Sequence, residues 1–247
     1  MSIKKLTFGG LAAACVMALA SGPLAAAPAS PSDGKSGGKS SSEPEQIIAE
    51  VNARPEKFKP LFNGRDLEGW QHVGPGEFVI ENGVLKTVGG MGLLWYTREK
   101  FGNAVIRIVY KAPDDDGGGN SGVFIRIPEE PTEPWMPVNK GYEVQIDDSD
   151  DEWHRTGVLY SFTKTLAQPK IQEWNTMQIL IQDDRTSVFV NGTKVTDYVE
   201  GSPVPEKKQK HEPDRGPRPA SGYIGLQNHG EKDTVYFKEV SVAKLGE

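Results

Sequence analysis

Three polar side chains alternate with apolar ones in residues 141–147, whose sequence is GYEVQID. Successive side chains of a β-strand point to opposite faces, so Glu143, Gln145 and Asp147 share one face, and Val144 and Ile146 share the other. A carboxylate, an amide and a second carboxylate in one row can bind hydroxyl groups and transfer protons. The pattern therefore predicts a polar cleft on a sheet. An edge strand with one solvated face is the alternative that the spacing leaves open.

Short strands and turns surround this stretch. Residues 77–80 and 84–88 flank Asn82-Gly83, a pair that favours a tight hairpin turn because both residues tolerate positive φ. Asn191-Gly192 marks another hairpin. No segment from residue 57 onward has a helical apolar stripe. The chain is therefore predicted to be all-β, with two antiparallel sheets packed as a jelly roll. The further predicted strands are 104–111, 121–127, 177–182, 187–190, 223–227 and 234–243.

The N-terminal region predicts export. Lys4 and Lys5 precede an apolar stretch at 6–20 that is followed by small residues, which is typical of a signal peptide, here placed at residues 1–26. The stretch is too short and too rich in Ala and Gly for a membrane span. We expect a periplasmic or secreted protein. Lipid attachment at Cys15, the only cysteine, is the less favoured alternative.

Composition divides the rest of the chain. Residues 27–56 are rich in Pro, Ser, Gly and Lys and are predicted to be a disordered linker, with a short helical turn at 45–51 as an option. Residues 57–247 are predicted to form one domain, interrupted by a long loop at about 201–220. The formal net charge is −6 and no basic stripe is present, which argues against a nucleic-acid partner. Removal of the signal peptide would leave no thiol.

Several phrases together resemble the 3-keto-disaccharide hydrolase domain family, long catalogued as a domain of unknown function. The similarity runs from about residue 58 to 245 and follows the order of the family. The phrases are 61–70 (LFNGRDLEGW), 120–126 (NSGVFIR), 141–147 (GYEVQID), 157–160 (GVLY), 173–175 (EWN), 191–192 (NG) and 222–229 (GYIGLQNH).

The resemblance implies a concanavalin A-like lectin/glucanase jelly roll, in agreement with the strand pattern. Related glucanases carry two or three acidic residues on one strand, whereas this chain has Glu143, Gln145 and Asp147. A retaining pair of carboxyl groups stands about 5–5.5 Å apart, but residues i and i+4 of a flat strand have Cα atoms about 13 Å apart. Ordinary double displacement is therefore disfavoured.

The family name implies a sugar that is already oxidised at C3. A C3 ketone acidifies the C2 hydrogen, so that a base can remove it, the C1 oxygen can leave, and water can add to the enone. On this hypothesis Glu143 is the base, His229 or Asp147 is the acid, and Arg126 stabilises the enolate. The ketone also implies an upstream sugar-oxidising enzyme as a partner.

Polar and aromatic residues are candidates for binding the sugar substrate. The amides would orient hydroxyl groups and an indole ring would stack on a sugar face. Each also has a structural explanation: Arg126 could form a cross-strand ion pair, residues 120–122 could be a turn, and Trp174 could belong to the core. The predicted substrate-binding residues are Asn120, Ser121, Gln145, Tyr160, Trp153, Trp174 and Gln227.

No organic cofactor is predicted, but a divalent cation is an open option, with Glu143, His154 and His229 as candidate ligands. Acidic runs at 114–116 and 147–152 are the other oxygen-rich segments, although solvated turns explain them too. The functional alternative to an enzyme is a carbohydrate-binding, lectin-like module, since this sandwich serves both uses. A protein-binding sandwich of the laminin G type is disfavoured because the predicted face is polar.

Overall fold

A computed structural model describes residues 43–113, 119–147 and 151–246 of the chain. Strands dominate these ranges. Two α-helices, α1 (Pro44–Asn52) and α2 (Met136–Lys140), and a 3-10 turn at Pro55–Lys57 accompany them. The strands are β1 (Lys59–Pro60), β2 (Trp70–Val73), β3 (Glu77–Glu81), β4 (Val84–Val88), β5 (Gly92–Tyr96), β6 (Ala104–Lys111), β7 (Ser121–Ile127), β8 (Tyr142–Ile146), β9 (Asn175–Gln182), β10 (Arg185–Val190), β11 (Thr193–Val199), β12 (Tyr223–Asn228) and β13 (Tyr236–Lys244).

The hairpins form where the turn residues predict them. Asn82 and Gly83 have φ angles of 52° and 80° between β3 and β4. Asn191 and Gly192 have φ angles of 48° and 80° between β10 and β11. Two consecutive residues with positive φ match the twist of a two-residue hairpin, which explains the Asn-Gly choice at both places.

Two antiparallel sheets pack against each other, which confirms the predicted jelly roll. The larger sheet has the strand order β11-β10-β9-β6-β13-β4-β3, with β1 also paired to β13. The smaller sheet has the order β2-β5-β12-β7-β8, so β8, the strand of residues 142–146, is an edge strand. Apolar side chains from the facing surfaces of both sheets, such as Ile106, Val123, Val144, Ile179 and Val240, form the main core.

The outer surface of the smaller sheet is divided between an apolar and a polar part. A second cluster of Leu93, Trp95, Phe124, Met136 and Val138 lies on it, because α2 and its flanking residues cover this half. The side chains of Glu143, Gln145 and Gln227 lie on the other half. The covering segment therefore leaves a polar depression beside it, which is where the candidate site lies.

Helix α1 falls within residues 27–56, the segment predicted as a linker. Its buried residues Ile47, Ile48 and Val51 pack with Leu180 and Phe189 of the larger sheet. The folded part of the chain therefore begins earlier in this segment than composition predicts, and the short helix foreseen at 45–51 is present. The helices of the described ranges are all too short or too polar to span a bilayer.

Candidate functional site

A pocket of about 270 Å³ opens on the polar half of the smaller sheet. Side chains from β8, β12 and five loops converge on it. Six of the residues predicted for the site lie here, and two others were not predicted. The lining residues are Asn120, Trp135, Glu143, Gln145, Tyr160, His211, Gln227 and His229.

Glycine makes the hollow in the floor. Gly122 of β7 pairs with Gln145 of β8, and Val123 pairs with Leu226 of β12, so Gln145 and Gln227 lie on either side of Gly122. A Cβ atom at Gly122 would lie 2.6 Å from the carboxylate oxygen Oε1 of Glu143, closer than real Cβ contacts. The absence of a side chain at residue 122 thus leaves room for the Glu143 carboxyl group.

Glu143 is a buried carboxyl group at the floor of the pocket. Its side chain is only 6% exposed, although β8 is an edge strand. Burial raises the pKa of Glu143 to about 8, an effect that a hydrogen bond from Gln227 partly opposes. The solvated-edge alternative is therefore wrong for this face. A carboxyl group with a pKa near neutrality can take up and release protons at working pH.

His229 is held in one orientation by Asp233. Its Nδ1 atom lies 2.7 Å from Oδ2 of Asp233. The other oxygen of Asp233 accepts a hydrogen bond from the backbone N–H of Asn120 at 3.3 Å. A carboxylate only accepts, so Nδ1 carries a proton and Nε2 is the ring nitrogen left for chemistry in the pocket. Asp233 was not predicted, since only the fold brings it next to His229.

Asp147 does not line the pocket. Its Oδ2 atom accepts a hydrogen bond from Nδ2 of Asn120 at 3.0 Å, and Asn120 Oδ1 in turn accepts one from Nε2 of Gln145 at 3.1 Å. Asp147 therefore contacts the residues that line the pocket, and the direct acid role predicted for it loses its geometric basis.

Arg126 points away from the pocket, so the prediction that it stabilises an enolate is wrong. Strict alternation would put it on the same face as Gly122 and Phe124. However, β7 carries one extra residue opposite β12 between Phe124 and Ile127, and Arg126 has a φ of 55° in this bulge. The bulge turns the side chain into the interior, where it is 0% exposed.

The buried Arg126 guanidinium holds three backbone segments together. It donates to the carbonyl oxygens of Pro219 at 2.8 Å, Asp183 at 3.0 Å and Arg185 at 3.3 Å. Burial lowers the pKa of Arg126, an effect that the charge of Glu200 opposes. These bonds attach the end of the 201–220 loop, which also carries the pocket residue His211, to the turn before β10.

Replacement of Arg126 by Met is expected to lower the free energy of unfolding by about 3 kcal/mol, because buried carbonyl groups lose their donors. Urea denaturation measures this. Arg98→Met is the matched control: Arg98 is 54% exposed and pairs with Glu68, so its loss should cost at most about 0.5 kcal/mol. Equal stabilities of the two variants would contradict the anchoring role.

Three further predicted binding residues lie elsewhere. Ser121 is fully buried on the core side of β7 and donates to the carbonyl oxygen of Gln227 at 2.7 Å. The ring of Trp174 lies 5.4 Å from Nζ of Lys111, a residue of the larger sheet. The ring of Trp153 lies 5.2 Å from Nζ of Lys164, outside the pocket lining. Ser121 is two residues from the core residue Val123 on the same strand, so the alternation of side chains already predicts that it faces the core. The positions of the two tryptophans could be known only from the folded structure.

His154 belongs to a different cluster from the pocket residues. Its Nδ1 atom lies 3.0 Å from Asp151 and its Nε2 atom lies 3.0 Å from Oγ of Ser161. Asp151, His154 and Ser161 follow one another as the acid, base and nucleophile of a hydrolytic triad do. However, Ser161 is only 4% exposed, which leaves little access for a substrate. The backbone N–H groups of Ser161 and Phe162, which an oxyanion hole would need, already donate to backbone carbonyl oxygens. The cluster is therefore best explained as support for Tyr160, whose ring lies 5.0 Å from that of His154.

The candidate metal ligands do not come together. Among the residues that the structure describes, no three His, Cys, Asp or Glu side chains form a group that could hold a metal ion. Glu143 and His229 share the pocket, whereas His154 pairs with Asp151 and Ser161. Of the two acidic runs, residues 114–116 and 148–150 lie outside the described ranges.

Trp135 and His211 are pocket residues that the sequence analysis missed. Trp135 directly precedes α2 and is 41% exposed, an unusual exposure for an indole and one that suits stacking on a sugar. His211 belongs to the 201–220 loop. Arg218 donates to the carbonyl oxygen of Gly141 and Arg215 to that of Pro205, so the loop forms an ordered wall.

Solved structures of similar fold include carbohydrate-related proteins. A candidate glycosyl hydrolase from Parabacteroides distasonis ATCC 8503 is 25% identical, with a TM-score of 0.62 over 78% of this chain and 96% of that one. A second such protein from the same organism is 24% identical, with a TM-score of 0.61 over 76% and 99%. A galectin-like protein of unknown function from Bacillus subtilis is 13% identical, with a TM-score of 0.51 over 76% and 94%, and shows the fold alone.

No curated protein sequence matches the chain. A family model does match, over residues 57–243, which covers every strand from β1 to β12 and nearly all of β13. It also covers all eight residues that line the pocket. The resemblance stated from the seven sequence phrases is thereby confirmed, and a carbohydrate-related function is supported. The chain belongs to the 3-keto-alpha-glucoside-1,2-lyase-like domain family.

Proposed function

We propose that this protein cleaves the glycosidic bond of 3-keto glycosides by elimination, and that addition of water to the product completes a net hydrolysis. The observation that carries the proposal is the buried carboxyl group of Glu143, with a pKa raised to about 8, in the same pocket as His229. The family description and the similarity to a candidate glycosyl hydrolase support it.

Glu143 is the proposed base. Its carboxylate takes the proton from C2, and the electrons of the C–H bond form the enolate of the C3 ketone. The enolate then forms the C1–C2 double bond as the C1–oxygen bond breaks. Water can later add its oxygen to C1 and a proton to C2. A base whose pKa is close to the working pH combines sufficient ionised fraction with sufficient basicity.

His229 is the proposed acid. Protonated at Nε2, it would give that proton to the departing oxygen, while Asp233 holds Nδ1 and stabilises the imidazolium. With Arg126 turned away, the enolate oxygen must meet other donors. We assign this role to His211 and to the indole N–H of Trp135, which belong to residues that line the pocket.

A carbohydrate-binding module that does not cleave is the alternative, and the exposed Trp135 would suit it equally well. A buried carboxyl group with a raised pKa favours the enzyme, because an amide, which stays neutral at every pH, would bind hydroxyl groups without the free-energy cost of ionising a buried group. If the enzyme is correct, a preceding reaction that oxidises the sugar at C3 must supply the substrate. Export to the periplasm or the medium remains a prediction from residues 1–26.

Incubation with a chromogenic 3-keto-glucoside and with the same unoxidised glucoside tests the proposal. We expect release of the chromophore from the keto compound, with transient absorbance of a conjugated enone, and none from the unoxidised compound. Release from neither, together with measurable sugar binding, would establish the binding module instead. Repetition with a chelator tests the predicted divalent cation.

Replacement of His229 by Ala should lower kcat/KM by different factors on two substrates that differ in their leaving group. A sugar alkoxide leaves poorly and requires a proton, so kcat/KM for a 3-keto disaccharide should fall about 10²-fold. Nitrophenolate leaves without a proton, so kcat/KM for a nitrophenyl 3-keto-glucoside should fall less than about 5-fold. Equal losses on both substrates, measured in the same preparation, would remove His229 from the acid role.

A further inference from the structure

The orientation of the Asn120 amide is fixed by Asp147. A carboxylate only accepts hydrogen bonds, whereas the two ends of an amide differ, one donating and the other accepting. Because Oδ2 of Asp147 lies 3.0 Å from Asn120, the NH₂ group of Asn120 must face Asp147. The carbonyl oxygen of Asn120 consequently faces Gln145.

This orientation passes on to Gln145. The Nε2 atom of Gln145 donates to the carbonyl oxygen of Asn120 at 3.1 Å. The carbonyl oxygen of Gln145 therefore points away from Asn120. Gln145 is 3% exposed, and its Oε1 atom is buried without a hydrogen-bond partner among the described residues. A buried acceptor without a donor is rare in folded proteins, and at a pocket it indicates a ligand that supplies the donor.

Gln227 repeats the arrangement on the other side of Gly122. It hydrogen-bonds the carboxyl group of Glu143, which in the ionised form needed for catalysis only accepts, so the NH₂ group of Gln227 faces Glu143. Gln227 is also 3% exposed, and its Oε1 atom too is buried without a partner in the described part of the chain. Two residues that line the pocket on either side of Gly122 therefore each have a buried carbonyl oxygen without a donor among the described residues.

We infer that Asp147, acting through Asn120, leaves the carbonyl oxygen of Gln145 as an acceptor that selects substrates by their hydroxyl donors. Ionised Glu143 leaves the carbonyl oxygen of Gln227 as a second such acceptor. Sugar hydroxyl groups donate to Gln145 and Gln227. The C3 ketone oxygen can only accept, so it is expected to bind away from these two oxygens, at His211 or at the indole N–H of Trp135 in the same pocket. The inference rests on the proposed function for the keto sugar, and it makes Asp147 a positioning residue.

Binding of an analogue that cannot be cleaved tests this. The probe is 3-keto-1,5-anhydroglucitol, which has no leaving group at C1, together with its deoxyfluoro derivatives at C2, C4 and C6. Fluorine cannot donate a hydrogen bond. By calorimetry at pH 9, where Glu143 is ionised, we expect at least one fluoro derivative to bind the unmodified protein about 10–100-fold more weakly than the parent, since a buried acceptor loses its donor.

Asp147→Asn removes the fixed orientation, because the new side-chain amide can either accept from Asn120 or donate to it. Gln145 can then present its NH₂ group, and the discrimination at the affected position should fall below about 3-fold. Asp147→Glu keeps an acceptor-only group and is the matched control. It should retain the discrimination even if its affinity for every analogue is lower, which a merely structural role for Asp147 would not predict.

The outcomes separate this inference from the proposed function. Discrimination between analogues without cleavage of any 3-keto glycoside would overturn the proposed function and keep the inference about the floor. Cleavage with equal binding of parent and all fluoro derivatives would overturn the inference alone. Full discrimination in Asp147→Asn would overturn the positioning role of Asp147. Failure of every analogue to bind would overturn the inference, whereas the cleavage assay alone decides the proposed function.

Discussion

Replacement of Glu143 by Gln is expected to lower the turnover of a 3-keto glycoside about 10³-fold, since the variant lacks the carboxylate that we propose as the base for the C2 proton. The pH profile of the unmodified protein carries the same information. Burial raises the pKa of Glu143 to about 8, and the ionised form is the proposed base. On a nitrophenyl 3-keto-glucoside, whose leaving group needs no acid, kcat/KM should therefore rise with pH and level off above about 8. In Glu143→Gln the residual kcat/KM should not show this rise with pH.

Two further variants test whether Glu143 is the base. Glu143→Asp keeps a carboxylate that is one methylene shorter, so it should retain more activity than Glu143→Gln. Glu173→Gln is the control. The side chain of Glu173 is 78% exposed, pairs with Lys111 and does not line the pocket, so the activity and pH profile of this variant should match those of the unmodified protein. A profile that falls rather than rises through pH 8 would show that protonated Glu143 acts as an acid, and would overturn its role as the base.

The floor of the pocket was predictable from local pattern. The alternation at 143–147 has a period of two, and a strand imposes that period on its side chains, so Glu143 and Gln145 had to share a face. The Asn-Gly turns likewise fixed two hairpins, because few residues accept positive φ at both positions. Both inferences depend only on neighbours in the chain.

The walls of the pocket were not predictable in this way. Arg126 reverses its expected face because of one extra residue in β7, and the sequence has no mark of that bulge. Trp135 and His211 come from loops, so their approach to Glu143 depends on how those loops cross the sheet. The same holds for Asp233, whose partner His229 is close in sequence but whose contact with Asn120 spans 113 residues.

Burial of Glu143 also predicts that this residue destabilises the fold at alkaline pH. Its pKa is about 8 in the folded chain, against an ordinary value of 4.5. Below pH 4.5 both the folded and the unfolded chain bind the proton, and the residue has no effect. Between pH 4.5 and 8 only the folded chain keeps the proton, so the free energy of unfolding falls as pH rises. Above pH 8 both states are ionised and the loss is constant.

Glu143→Gln should therefore be more stable than the unmodified protein at pH 9, by about 4 kcal/mol, and nearly equal to it at pH 5. Urea denaturation at both pH values measures the difference, and Glu173→Gln should follow the unmodified protein at each. A Gln variant that gains nothing between pH 5 and 9 would mean that the folded chain ionises Glu143 as easily as the unfolded one. The carboxyl group would then not be the tuned base that the proposed elimination requires, since one cause, its desolvation above Gly122, produces both the catalytic pKa and the loss of stability.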